Sequence, residues 1–496
     1  MNFENNQVNY EAFGAAGDGI TDDMQAICDA HAYANEHGQA VRTKPDATYY
    51  IGGQPLTAII TTNTDWNTSR FTIDDAAGVE DHRRCLFEVR SQLSKESLSF
   101  DKLTRDQRQV DIHPDTACWI CVEDDTKRLY VRRGRNINQG APQKDCFILN
   151  PNGTIEGDID WEYETITSVA AWPIDPEPLL IQGGIFTTIA NRWAKDEGYE
   201  YWSRNIIIHR SNTEVDGLTH YVVGEPDIGS AYSGFLSAHN CAHITFRNCW
   251  ATGHRVYQAM GRAGKPVGVG TYDYGANSVV GFTMRNCRMN HILDRTRWGV
   301  IGTNFCKDIL LEDCYLSRMD THQGVSGTYT IRRTTLGHMG LNAIGRGKLI
   351  VENSTLYGNV LINYRSDYGS TWEGSVEIRN CKWIPACGEQ SSPTMINVAN
   401  DGTHDFGYPC SMPSHITVDG LHVEDANTPD GYQGLYYLAD PDDFHDGVNK
   451  LTLTDNRPFP YAVTRKLSIK GVTTASGWDP RVSPSERIIS AVDLST

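Results

Sequence analysis

The sequence predicts an all-β chain wound as a solenoid. Two observations lead there: one short strand-like pattern recurs from about residue 205 onward, and one clear amphipathic helix signal stands before it, near the N-terminus. The pattern is a hexapeptide that starts with apolar residues at its first and third positions and ends in two polar residues and a small or apolar one. It reads Ile206-Ile-Ile-His-Arg-Ser211, Ile244-Thr-Phe-Arg-Asn-Cys249, Phe282-Thr-Met-Arg-Asn-Cys287 and Ile309-Leu-Leu-Glu-Asp-Cys314. It continues as Tyr329-Thr-Ile-Arg-Arg-Thr334, Leu349-Ile-Val-Glu-Asn-Ser354 and Val376-Glu-Ile-Arg-Asn-Cys381, with weaker copies at Ile416–Leu421 and Leu467–Val472. The last positions lie 38, 38, 27, 20, 20, 27, 40 and 51 residues apart. A shortest spacing near 20, with longer copies carrying insertions, suits stacked coils. Each copy is too short and too β-branched for a helix pair. The closing small residue should point inward, so Cys249, Cys287, Cys314 and Cys381 should stack in one core column as small hydrophobes.

The helix signal follows Phe13-Gly-Ala-Ala-Gly-Asp-Gly-Ile-Thr-Asp-Asp23 and covers residues 24–37, with Met24, Ile27, Ala30 and Ala34 on one face. Asp22 or Asp23 can cap it, and Gly38 ends it. This motif before a helix resembles the N-terminal signature of the pectate-lyase-like superfamily, which includes polygalacturonase-type hydrolases, glucanases and phage tailspike depolymerases. The match covers about the first 50 residues. The resemblance implies a right-handed parallel β-helix whose N-terminal helix caps the open end, and a carbohydrate-active function. It gives Asp18, Asp22 and Asp23 a structural role. The expected organisation is a capping helix and first coils over 1–100, a β-rich insertion over 101–175, main coils with the active face over 176–425, and irregular closing coils over 426–496.

Composition excludes several classes. Lys and Arg number 44 against 62 Asp and Glu, a net charge of −18, which disfavours nucleic acid and anionic membrane as partners. No apolar run approaches the roughly 20 residues of a membrane helix. The N-terminus shows no secretory signal, and the 13 cysteines are odd in number and scattered, which points to reduced thiols and a cytoplasmic protein. Cys118 and Cys121 form the sole C-x-x-C, on a strand that puts them on opposite faces, so they read as structural. No metal site or cofactor is expected. Ca²⁺ in the Asp-rich tail has no loop spacing to support it.

Chemistry should follow the repeats, because a solenoid lines up equal offsets of successive coils. After the hexapeptides stand His254, Asp294, Arg295, Arg297, Arg318, Asp320, His322, His338, Asn342, Arg346, Asn363, Arg365 and Asp367. Between Arg285 and Asp367, eleven basic residues face seven acidic ones, a local excess of four in an acidic chain. Trp298 and Tyr364 lie in the same stretch. Arginines match carboxylates in a bidentate way, and aromatic faces hold sugars. The expected substrate is therefore an acidic, uronate-containing poly- or oligosaccharide. Asp320, Asp294 and Asp367 are the candidate acid and nucleophile for hydrolysis, which is slightly favoured. His322, or Tyr364, is the candidate base of a lyase, with arginines offsetting charge. The remaining residues, Arg295, Arg297, Trp298, Arg318, His338, Asn342, Arg346, Asn363, Tyr364, Arg365 and His254, are expected to bind substrate. The competing reading is a non-catalytic glycan-binding or tailspike-like solenoid, trimeric if tailspike-like.

Overall fold

The computed structural model describes residues 7–496 except 195–199, 226–227, 304, 386–391, 401, 403, 429 and 442–460. Its strands pair in parallel into one large sheet system, with a separate four-stranded antiparallel sheet beside it. The pairing resolves into three stacks. The second stack carries the hexapeptides: Ile244, Phe282, Ile309, Tyr329, Leu349, Val376, Ile416 and Leu467 pair in succession. All eight are at most 1% exposed, so register is set by apolar residues that must face inward. The fifth hexapeptide position turns the corner with positive φ, which explains its chemistry: Asn248, Asn286, Asp313, Arg333, Asn353 and Asn380 have φ between 46° and 55°, and Gly420 and Gly471 take the same place. The third stack follows that corner. Cys249, Cys287, Cys314 and Cys381 are buried at its start, as expected.

The first stack precedes the hexapeptides. It links strands Phe87–Val89 and Ile206–Ile208 to residues 236–239, 274–277, 300–303, 319–321, 341–343, 362–364 and 394–397. One sequence assignment fails here. Ile206–Ser211 matches the hexapeptide but belongs to the first stack, and the second-stack strand of that coil is Thr213–Asp216. Both strands bury alternate residues, Ile206 and Ile208 in one and Thr213 and Val215 in the other, and the more apolar of the two draws the assignment.

The helix Met24–His37 buries Met24, Ile27, Ala30 and Ala34 and stops at Gly38, whose φ is 62°. The Asp23 side chain does not cap it. Its carboxylate accepts from the Ala16 and Gly17 amides and so braces the preceding loop, while Asp22 accepts from Met24 N–H. The chain leaves the coils after Val89 and returns at Leu179. Between them, strands Cys118–Leu129, Ala141–Leu149, Ile155–Glu156 and Ser168–Pro173 form the antiparallel sheet. Cys118 lies in that sheet's own core, and Cys121 on the face packed against Ala242 and Val280 of the coils. A buried ion cluster fastens the sheet to the coils: Lys307 pairs with Asp145 and, at 3.3 Å, with Asp160. No helix among the described residues is long and apolar enough to cross a membrane. Of the Asp-rich tail considered for Ca²⁺, residues 429 and 442–460, with four of the eight aspartates after residue 425, lie outside the described residues.

Candidate functional site

Asp320 sits on the first stack, paired with Ile301 of the coil before, and is fully buried. Its Oδ2 collects four donors. Arg318 reaches it at 2.6 Å, Arg365 at 2.8 Å and His322 Nε2 at 3.2 Å, and the Tyr272 hydroxyl donates to it as well. Arg365 also pairs with Asp367 at 2.9 Å, and Asp367 with Arg132 at 2.6 Å. Arg132 comes from the loop between the two long strands of the antiparallel sheet, so the insertion and the coils build this centre together. Trp298 and Tyr272 flank the Arg318 guanidinium at 5.4 and 5.7 Å.

These contacts fix the protonation states. Burial alone would raise the Asp320 carboxyl, but Arg318 and Arg365 outweigh it and hold the group well below the usual carboxylate range. Asp367 is lowered in the same way by Arg365 and Arg132. Burial pushes the Tyr272 phenol well up, against the pull of Arg318. Burial, with Arg365 beside it, pushes His322 down to about 4. An ionised Asp320 can only accept, so the hydrogen of neutral His322 is on Nε2. That leaves Nδ1 as a lone-pair site without a hydrogen bond among the described residues.

His322 and Tyr272 form part of the wall of a cleft of about 500 Å³. Arg132, Asn136, Asn138, Tyr201, Arg262, His239 and Asn277 line the rest, and among the described residues no Asp or Glu does. The His322 side chain is 27% exposed, so the imidazole is reachable from the cleft.

The sequence-predicted residues divide into several groups. Asp320, His322, Arg318, Arg365, Asp367 and Trp298 converge on this centre. Asp320 and Asp367 do so as carboxylates held ionised by arginines, a state that suits a nucleophile and not a proton-giving acid. Asp294 is no strand residue. It lies in a pair of turns and accepts from Thr296, with Arg297 at 3.7 Å. His254 and Arg297 meet instead at Glu225, at 3.3 and 3.5 Å. Arg295 and His338 contact each other at the surface. Asn342, Asn363 and Asn397 form a side-chain amide ladder, with hydrogen bonds of 2.6 and 2.8 Å, which braces successive coils rather than a ligand. Tyr364 is fully buried and stacks on Trp372 in the core, so it is neither a sugar platform nor a base. Arg346 lines a different groove, of about 480 Å³, where it pairs with Asp106 and Asp160.

Sequence reasoning missed Tyr272, Arg132, Arg262 and Glu225. Tyr272 stands two residues before the first-stack strand Tyr274–Arg285, and that adjacency was its one available signal. Arg132 comes from an excursion that no repeat offset reaches.

No family model matches the chain. A curated relative, the capsule KL64-specific depolymerase of Klebsiella phage P510, is 32% identical over 25% of this chain. The match spans 14% of that protein's length. Among solved structures, the tailspike protein gp49 from Pseudomonas phage LKA1 aligns with 98% of this chain and 84% of its own, at 10% identity and a TM-score of 0.53. The Pseudomonas phage phi297 tailspike gp61 covers 99% and 84% at 13% identity and a TM-score of 0.49. The likeness to the first tailspike shows the fold, a right-handed parallel β-helix.

Proposed function

We propose that this protein acts on an acidic polysaccharide, bound in the cleft along the first stack, and cleaves it by β-elimination with His322 as the base. One observation carries the reading: the cleft offers an imidazole with a free Nδ1 and two guanidiniums, and no carboxylate lines it. Such a wall attracts an anionic sugar and repels none of its charge. Arg262 has no ion-pair partner among the described residues and is the first candidate for the uronate carboxylate. The Klebsiella phage relative, named a depolymerase for a capsule, supports a polysaccharide as the substrate class.

The chemistry runs through the residues already placed. His322 Nδ1 takes the proton next to the uronate carboxylate. The freed electron pair becomes the new carbon–carbon double bond as the glycosidic bond breaks, and the imidazolium returns the proton to the departing oxygen. Asp320, 3.2 Å from Nε2, stabilises the imidazolium while it exists. Hydrolysis by paired carboxyls has less support, because it needs one carboxyl that keeps its proton. Asp320 and Asp367 are both held ionised by arginines.

The test is a panel of uronate-containing and neutral polysaccharides, followed for ultraviolet absorbance of unsaturated uronate and for new reducing ends. Both signals together on an acidic polymer are the expected result. Reducing ends without absorbance would establish hydrolysis and overturn the elimination. Binding without either would leave a glycan-binding solenoid.

A further inference from the structure

A second polar cluster lies behind the cleft, where the third stack turns back into the first. His220 comes from strand Thr219–Val223, His254 from the turn after Trp250–Ala251, and Asp273 from the residue just before Tyr274–Arg285. All three side chains are at most 2% exposed. One ligand atom from each falls within 4.8 Å of the other two. Both oxygens of Asp273 and the Nδ1 atom of His220 have no hydrogen-bond partner among the described residues, and His254 Nδ1 faces Glu225 Oε1 at 3.3 Å. His220 Nδ1 lies 3.8 Å from Asp273 Oδ1, too far for a hydrogen bond. A buried carboxylate without a single donor carries its full desolvation penalty, and native interiors rarely leave one so.

We infer that His220, His254 and Asp273 bind a divalent transition-metal ion of the zinc class. Two imidazoles and a carboxylate form a mixed nitrogen and oxygen set, which suits Zn²⁺, Co²⁺, Ni²⁺ or Mn²⁺ and not the all-oxygen shells of Ca²⁺. Metal–ligand bonds of about 2.0–2.2 Å put donor atoms roughly 3–3.5 Å apart, so the trio closes by about an ångström on binding. The supporting contacts are in place. Thr188 Oγ1 lies 3.0 Å from His220 Nε2, so a hydrogen on Nε2 has an acceptor when Nδ1 ligates the ion. His220 stacks on Phe235 at 3.7 Å and His254 on Tyr232 at 4.3 Å, which fixes both rings. Glu225, 3.3 Å from His254, is a further carboxylate within reach. The ion clamps the excursion 252–273 to the coils. Because Asp273 adjoins Tyr272, the clamp also holds the hydroxyl that donates to Asp320. Metal binding stands apart from the elimination chemistry and holds whichever reaction the cleft performs.

The experiment uses the full chain, purified without metal affinity, stripped with a chelator and then equilibrated with Zn²⁺, Co²⁺, Ni²⁺ or Mn²⁺ in turn. The expected result is about one equivalent of one of these ions retained by elemental analysis, and a higher thermal midpoint than the stripped protein has. Asp273→Asn and His220→Ala should each weaken binding by roughly tenfold or more while circular dichroism stays that of the parent. If either variant fails to fold, the parent's stoichiometry decides. Retention of none of the four ions by the parent, or full retention by a folded Asp273→Asn protein, overturns the site.

Discussion

Along the second stack the paired position from Ile244 to Leu467 is apolar and buried in all eight coils. The outward position aligned along the first stack reads Ser237, Gly275, Ile301, Asp320, Asn342, Asn363 and Asn397. These columns belong to the same coils, yet one repeats and the other changes residue type at four of its six steps. The repeating column carries the burial that holds the solenoid together. In the changing column three asparagines still brace one another, and the charged centre begins one coil before them, at Asp320. On the proposed reading stability and chemistry are divided between adjacent stacks, so they should be separable by mutation.

The largest effect expected falls on the first stack. His322→Gln should lower the cleavage rate by about 10²–10⁴-fold, the usual worth of a positioned base, with the thermal midpoint unchanged. Parent-like rates on the true substrate would remove His322 from the chemistry. Asp320→Ala leaves Arg318 and Arg365 buried and facing each other without their shared anion, and should cost about 3–5 kcal/mol in denaturant unfolding. This is the one place where the two columns should not separate, because the charged centre is also part of the core. On the second stack, Leu349→Ala should cost about 2–5 kcal/mol, while activity per folded molecule stays that of the parent. Loss of activity without loss of stability would break the division.

Acid should act on the first stack before it acts on the second. The His322 conjugate acid is pushed down to about 4, and the reaction needs the neutral ring. Activity should persist well below the 6.5 of an ordinary histidine and fall as pH drops through about 4, measured as kcat/KM against pH. A limb near 6.5 would mean that the ring of the free protein titrates as an ordinary histidine and lacks the shift that burial and Arg365 give it.

Much of the second stack was legible because its repetition is local. Six residues carry the apolar face, the left-handed corner and the small inward residue, and each coil reports the same constraint again. The capping helix was legible for a similar reason, being bounded by Asp23 and Gly38. The site was legible only in part. Arg318, Asp320, His322, Arg365 and Asp367 stand close in sequence and at useful offsets. Their partners Tyr272 and Arg132 come from an excursion and an insertion, where position in the chain says nothing about position on the coil. Tyr364 shows the converse error: it lies among the right neighbours, but strand alternation turns it inward, between Asn363 and Arg365. Strand parity places Asn363 and Arg365 on one side and so assigns Tyr364 to the core.

The smallest expected effect tests the corner itself. Asn353 has φ of 50°, the conformation that asparagine tolerates and glycine prefers. Asn353→Gly should be close to neutral, since the freedom gained in the unfolded chain offsets the relief at the corner. Asn353→Val should cost about 1–2 kcal/mol, because a β-branched side chain clashes with the backbone there. Arg333 occupies the same corner one coil earlier with φ of 46° and pairs with Asp313 at 2.7 Å and with Glu312 at 2.7 Å. A glycine there would relieve the backbone and lose both ion pairs, of which the one to Asp313 is half exposed and worth little while the one to Glu312 is more sheltered. If Arg333→Gly stabilises the fold in denaturant unfolding, backbone conformation governs the corner. If it destabilises by more than Asn353→Gly does, the charged ladder along the outer face contributes to register, and the second stack owes part of its regularity to electrostatics as well as to burial.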